Sequence, residues 1–216
     1  MPPDRSESPP ATVEEWRQKG EGLLRAGAPI VAYDTLAEGL LVFPGDPRLR
    51  QLLALALART GASNAAIPLL EALRAEGHSD EETIGLLARS YKDLWAQGGT
   101  AAERHEHLSR AYSYYAEGYR LSAGIWTGIN AATMALLMGR KDEAAEIARV
   151  VRDRCLQDEA AKPDKAKDYW HLATLAEAWL ILRDMPEAEA AYVRAVHSGR
   201  PRPAARSIAA PSPAGA

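Results

Sequence analysis

The chain has 216 residues, enough for one domain or a short repeat array, and its 47% apolar and 25% charged content is that of a soluble globular protein. A net charge of −3 and a pI near 6.0 give no basic footprint for nucleic acid. One cysteine, Cys155, excludes an internal disulfide and fits a reducing compartment, and the longest apolar run, Leu52–Ala58, is too short to span a membrane.

Residues 1–11, MPPDRSESPPA, are Pro- and Ser-rich with both charge signs. They are expected to be disordered, and they lack the apolar stretch of a signal peptide. The cytoplasm is the expected location. From 12 to 197 the chain reads as helix throughout: Ala and Leu dominate, β-branched residues are sparse and Phe43 is the single phenylalanine. Apolar residues recur three and four apart, as in Leu49, Leu52, Leu53, Ala56 and Leu57. Stops are predicted at Gly27, Pro44, Gly61, Gly77, Gly98–Gly99 and Gly139. Residues 198–216, rich in Pro, Ala and Gly with three arginines and no acid, read as a disordered tail or linker.

An internal repeat organises the helical region. Trp16, Gly20 and Leu23 are followed by Ala32, Leu36, Gly39 and Pro44. A second unit offers Leu53, Ala54 and Leu57, then Ala66, Leu70 and Leu73. The third has Leu87, Ala88 and Tyr91, then Ala111, Tyr115 and Gly118 after an insertion. The fourth has Ala132 and Ala135, then Ala144, Ala148 and Val151, and the fifth has Leu175, Ala176 and Trp179, then Ala188, Tyr192 and Ala195. The small first-helix residue thus falls at Gly20, Ala54, Ala88, Ala132 and Ala176, with spacings of 34, 34, 44 and 44. The longer spacings predict loop insertions. A glycine precedes the small second-helix residue by five in Gly27/Ala32, Gly61/Ala66 and Gly139/Ala144, and Arg183/Ala188 keeps the spacing without it. Two antiparallel helices approach closely only where side chains are small, and one pair cannot bury its apolar face alone, so pairs must stack.

These residues resemble the tetratricopeptide superfamily over 12–197, whose 34-residue unit is a helix–turn–helix. The resemblance implies an all-α, right-handed α-solenoid of about five helix hairpins. The runs Gly124–Arg140 and Asp168–Ala195, with Gly128–Ala131 and then Trp170, Ala173 and Thr174, are similar to the TRAF-binding helical region of apoptosis signal-regulating kinases and bacterial relatives. That likeness implies a regulatory protein-binding segment in signalling and carries no catalytic motif.

In such arrays the first helices line the concave face, with the second, fifth, ninth and twelfth positions open. These are Glu14, Arg17, Glu21 and Leu24; Arg48, Gln51, Leu55 and Ala58; Glu82, Gly85, Arg89 and Lys92; Trp126, Ile129, Thr133 and Leu136; and Trp170, Ala173, Glu177 and Leu180. The face turns from charged to apolar along its length. The expected partner-binding residues are Trp126, Ile129, Thr133, Trp170, Ala173 and Glu177, with the two tryptophans in equivalent places, because a desolvated tryptophan contributes disproportionately to binding. The competing reading packs both tryptophans against the following repeat or the tail. Arg48, Arg89, Lys92 and Asn130 are similar in type to residues that clamp a peptide carboxylate in some repeat proteins, but their positions fit poorly and they read as solvated charge.

No chemistry-bearing constellation emerges. His105 and His107 point roughly 200° apart on a helix and cannot share a metal. Cys155 has Arg152 and Arg154 near it but no histidine dyad. Glu14–Glu15, Glu81–Glu82 and Asp142–Glu143 are predicted to sit at helix starts, where the dipole favours acids. No phosphate-loop, dinucleotide, zinc-protease or nucleophile-elbow pattern occurs. The expectation is a non-catalytic scaffold that binds a protein or peptide, with no cofactor, metal, membrane or nucleic acid. The alternative is a helical sensor with a small ligand near Trp126 and Trp170, and a catalytic reading would need His171, Glu177 and Asp168 to converge. Oligomeric state is left open.

Overall fold

In the computed structural model, which describes residues 12–199, the sequence folds as ten α-helices and one short 3-10 turn. They are α1 (Val13–Arg25), α2 (Pro29–Val42), α3 (Pro47–Arg59), α4 (Ser63–Ala75), α5 (Glu81–Gln97), α6 (Ala101–Ser122), α7 (Ile125–Leu137), α8 (Lys141–Ala161), α9 (Tyr169–Ile181) and α10 (Met185–His197), with the 3-10 turn at Pro163–Lys167. The expected disorder of 1–11, and of the tail from 200 onward, lies outside the described residues.

Helix starts follow from side-chain caps. Thr12 and Thr100 each form a capping box with the glutamate three residues on. Asp46, Asp80, Asp168 and Asp184 each accept a backbone N–H at the first turn of α3, α5, α9 and α10. The paired acids Glu14–Glu15, Glu81–Glu82 and Asp142–Glu143 do lie in first turns. Helix ends follow from left-handed turns. Gly27, Gly61 and Gly139 have φ of 76°, 88° and 80°, and Arg183 takes the same conformation at 64° although it is not glycine. At all four turns the next amide reaches back to a carbonyl of the last helical turn, as Asp184 N–H does to Trp179 C=O at 3.0 Å. The hairpin needs the geometry more than the glycine.

The ten helices form five antiparallel hairpins stacked in register, a right-handed α-solenoid. First helices lie against their neighbours, α1 on α3, α3 on α5 and α7 on α9, while second helices pack chiefly on the first helices before and after them. The first helices therefore line the inner face. Gly20, Ala54, Ala88, Ala132 and Ala176 are all buried, as are their second-helix counterparts Ala32, Ala66, Ala111, Ala144 and Ala188. The approach is tightest in the first hairpin: a Cβ on Gly20 would lie 2.4 Å from Leu36 Cδ2, and one on Gly39 would lie 3.1 Å from the Trp16 ring. Small faces large in both directions across the pair.

One expectation is corrected. The extra residues of the third and fourth repeats are not loops. They lengthen α5 to 17 residues, α6 to 22 and α8 to 21, against 13 or 14 in the first two hairpins, with the 3-10 turn taking the rest. Within α6 and α8 the chain is rich in Ala, Glu and Arg and holds no proline, and no glycine before Gly118, so nothing there stops a helix.

Gly20→Val places branched bulk where Leu36 has no exposed surface to retreat to. Urea unfolding is expected to show a loss of roughly 1–3 kcal/mol. A midpoint equal to that of the parent would mean the first hairpin has slack at this contact.

Candidate partner-binding face

The inner face begins with a polar stitch between hairpins. Arg17 on α1 donates to Asp46, the N-cap of α3, through Nε at 3.2 Å and also through Nη2. One repeat later Gln51 donates to Asp80, the N-cap of α5, at 3.1 Å, and to Thr83 Oγ1 at 2.9 Å. Arg48 donates to Glu21 at 2.8 Å and lies 3.3 Å from Glu82. The charges expected to face a partner here are matched between neighbouring repeats, and Gln51, Leu24 and Ala58 are buried.

The stitch stops at the third hairpin. Gly85 holds the position of Arg17 and Gln51, and Gly124 stands where the next capping aspartate would be. Onto this bare backbone the Trp126 ring seats itself: a Cβ on Gly85 would meet its Cζ3 at 2.3 Å. The ring also meets Tyr115 edge-on, with centroids 6.1 Å apart. Trp126 keeps 39% of its surface exposed. It packs on the preceding repeat, not the following one, because that is where the missing side chain leaves room.

Trp170, its counterpart on α9, is 67% exposed and touches Tyr169 edge-on at 5.1 Å. The two tryptophans share a register position but not an environment. Thr133 and Ala173 are half-buried and Glu177 is exposed on α9, which lies directly beside α7. Ile129 is a correction: at 2% exposure it is part of the core with Val151, Cys155 and Leu175, and it cannot touch a partner. Its place is the stitch position, which turns toward the neighbouring hairpin.

A polar bridge crosses the middle of the face. Lys92 Nζ on α5 donates to Asn130 Oδ1 on α7 at 2.7 Å, and Asn130 Nδ2 donates to the Trp126 carbonyl at 2.9 Å. Both residues were expected to be solvated. Burial pushes the Lys92 ammonium below the usual lysine range, against the pull of Glu177 and Asp93 and together with the repulsion of Arg89. Glu177 keeps exposed surface, yet enough protein surrounds its carboxyl that desolvation raises its pKa, with Lys92 opposing. Burial also raises Asp93, which Arg89 and Lys92 hold back. Opposite charges from α5 and α9 thus face one another across α7.

The other singled-out residues have structural positions. Cys155 is buried and its thiol is pushed up to about 12 by burial, with Asp158 and Glu159 adding, so the neighbouring arginines do not activate it. His171 is buried with Nε2 3.5 Å from Glu159, which also accepts Arg194 at 2.9 Å, and Asp168 caps α9. His171 therefore faces an acid of α8 that sequence spacing did not reveal. Among the described residues no group of three potential metal ligands occurs, and no helix is long and apolar enough to cross a membrane.

The profile of a family described as Tetratricopeptide Repeats-Sensor matches residues 28–135, half of the chain. The chain belongs to this family. The match covers α2 to most of α7 and overlaps the runs 124–140 and 168–195, read from sequence as similar to a TRAF-binding helical region, only at 124–135. This sensor-type repeat chain is 26% identical over 128 residues, 58% of its length, to mitogen-activated protein kinase kinase kinase 15 of Mus musculus. It spans about a tenth of that relative. Among solved structures it resembles TTC0263, a thermophilic TPR protein of Thermus thermophilus, with a TM-score of 0.70, 20% identity and coverage of 87% of this chain and 91% of that one. It also resembles human IFIT1, solved as a dimer with PPP-AAAA, with a TM-score of 0.54, 13% identity and coverage of 86% and 55%. At these identities the structures establish the fold. A stacked-hairpin fold of this kind is in general a protein-interaction scaffold with an extended concave surface.

Lys92→Met removes the cation that favours ionised Glu177. The Glu177 carboxyl, followed by carbon-detected NMR, is expected to titrate at higher pH than in the parent. An unchanged titration would mean that the two charges do not sense one another across the groove.

Proposed function

We propose that this chain is a non-catalytic regulatory module of a cytoplasmic signalling protein, and that it holds an extended partner segment on the inner face of α7 and α9. The observation that carries the reading is Trp170, a large aromatic left mostly uncovered on the inner face of an array that otherwise buries or pairs most of its inward residues. Trp126, Thr133, Ala173 and Glu177 share that face. Desolvating an exposed tryptophan in a partner's pocket contributes about 2 kcal/mol or more, and the apolar half of the groove lies next to a charged lip that would orient a polar main chain. The kinase relative and the family description support a regulatory setting.

A second reading, a small-ligand sensor, is favoured by one cavity. Between the end of α3 and α5 lies a cleft of about 470 Å³ lined by Arg59, Thr60, Gly61, Arg89, Asp93 and Gln97. Its Arg59 donates to the Leu24 carbonyl at 2.6 Å, while its buried Nε has no partner. On this reading the small ligand binds away from Trp126 and Trp170.

The test is selection of a displayed peptide library on the immobilised full chain. Selected peptides are expected to lose at least roughly tenfold in affinity on Trp170→Ala, about 1.4 kcal/mol, and to keep it on Arg149→Glu on the outer helix α8, with circular dichroism unchanged in both. Peptides that bind Trp170→Ala as tightly as the parent would remove this face from the account.

A further inference from the structure

At the C-terminal end of the described array, α10 carries an exposed apolar face. In every hairpin one residue lies four places after the small residue of the second helix. It is Leu36, Leu70, Tyr115 and Ala148 in the first four, each no more than 1% exposed. The next first helix helps to seal it: Leu49 and Leu52 join Leu36, Ile84 and Leu87 join Leu70, and Ala131 and Met134 join Tyr115. In the fifth hairpin the residue is Tyr192, and it is 38% exposed. No helix follows it among the described residues. Met185, Val193 and Val196 on α10 and Leu180 on α9 are bare beside it, and together they line a trough of about 500 Å³. A terminal repeat of a solenoid is ordinarily polar on its outer side, because nothing stacks on it. This one is built like an internal repeat.

The polar side chains on the trough select the occupant. Glu189 lies one turn before Val193 and His197 one turn after it, on the same stripe, and both line the trough. His197 Nδ1 donates to the Val193 carbonyl at 2.8 Å, so Nε2 is the ring nitrogen left to donate to a carboxylate when the imidazole carries its second proton. An α10 laid antiparallel on a second α10 about a two-fold axis at Val193 would bring Glu189 of each copy to His197 of the other. It would cover Tyr192, Val193 and Val196 with the same three residues. This self-complementarity is what an isologous contact requires.

We propose that the exposed α10 face is the contact between two copies of this chain, paired end to end and antiparallel about Val193. The trough takes in Leu180, the last inward position of α9, but not Trp170, so the Trp170 and α10 variants test the peptide-binding and pairing readings separately.

The full chain is to be measured by sedimentation equilibrium across a concentration series. The parent is expected to be a dimer, with Val193→Glu and Val196→Glu monomeric at concentrations where the parent is paired, a rise of at least roughly tenfold in Kd, about 1.4 kcal/mol. Leu41→Glu, which alters an equally bare residue at the other end of the array, is expected to leave the dimer intact. Glu189→Lys is expected to weaken it and the double variant Glu189→Lys/His197→Glu to restore it, since the swapped charges again oppose. Circular dichroism establishes folding for each variant. A monomeric parent, as a face covered by residues 200–216 or by a different protein would give, overturns the proposal. So does a dimer that survives Val196→Glu, one that dissolves on Leu41→Glu, or a charge swap that restores nothing.

Discussion

Each hairpin depends on how closely its two helices approach at one small residue. Where Gly20 meets Leu36, no room remains for even a methyl group unless the leucine moves, and the leucine is fully enclosed. That contact brings the paired helices close enough for Trp16 to lie over Gly39, and the pair then presents a broad apolar flank to its neighbour. Each fully buried leucine contributes roughly 1.5–3 kcal/mol, and most of that burial is completed between hairpins, as the clusters joining α2 with α3 and α4 with α5 make plain. Stability is therefore a nearest-neighbour property, and the inner face exists because the first helices must follow one another at close range.

The inner face changes character because the links between its hairpins change. Between the first three hairpins the link is polar, with the fifth residue of α1 and of α3 reaching the aspartate that caps the next first helix. Such a link consumes charge that would otherwise be free for a partner, and it satisfies cap and donor together. At Gly85 and Gly124 both ends of the link lose their side chains, and the Trp126 ring takes the space at Gly85. From that point the cap-to-cap stitch is replaced by apolar contact and by scattered polar links: Lys92 to Asn130 and Thr127 to Glu81 between α5 and α7, and Arg194 to Glu159 between α10 and α8. The binding reading of α7 and α9 thus follows from a change in packing chemistry, not from a motif.

The repeat, its turns and its small-residue register were legible in the sequence because each is a local, periodic requirement. A left-handed turn wants glycine, and a close contact wants Gly or Ala. What was not legible depends on direction and surroundings. Ile129 and Gln51 hold positions that look outward on a generic helix, but the lateral tilt of the stack turns them into the next hairpin. Arg183 shows that a turn can persist without its signature residue when the flanking helices impose it. The extra residues of the third and fourth repeats gave no stop signal, and reading them as loops ignored their high helix propensity. Lys92 is a surface residue by type, and only the convergence of α5, α7 and α9 makes it a desolvated one.

The fifth hairpin is one of the two terminal units of the array among the described residues. Among the described residues it packs on one side only, chiefly through the contacts of α9 with α8 and α7, where Glu159 ties Arg194 to the α8 surface and faces the buried His171. In a nearest-neighbour array such a terminal unit opens first. It also carries Trp170 on its inner side and the bare trough on its outer side. Under the binding and pairing readings, a partner segment on α9 and a second copy on α10 would each bind the closed hairpin and not the open one. Each would then raise the population that the other requires, and the two events would be coupled through the local stability of one helix pair, with no movement of the rest of the array.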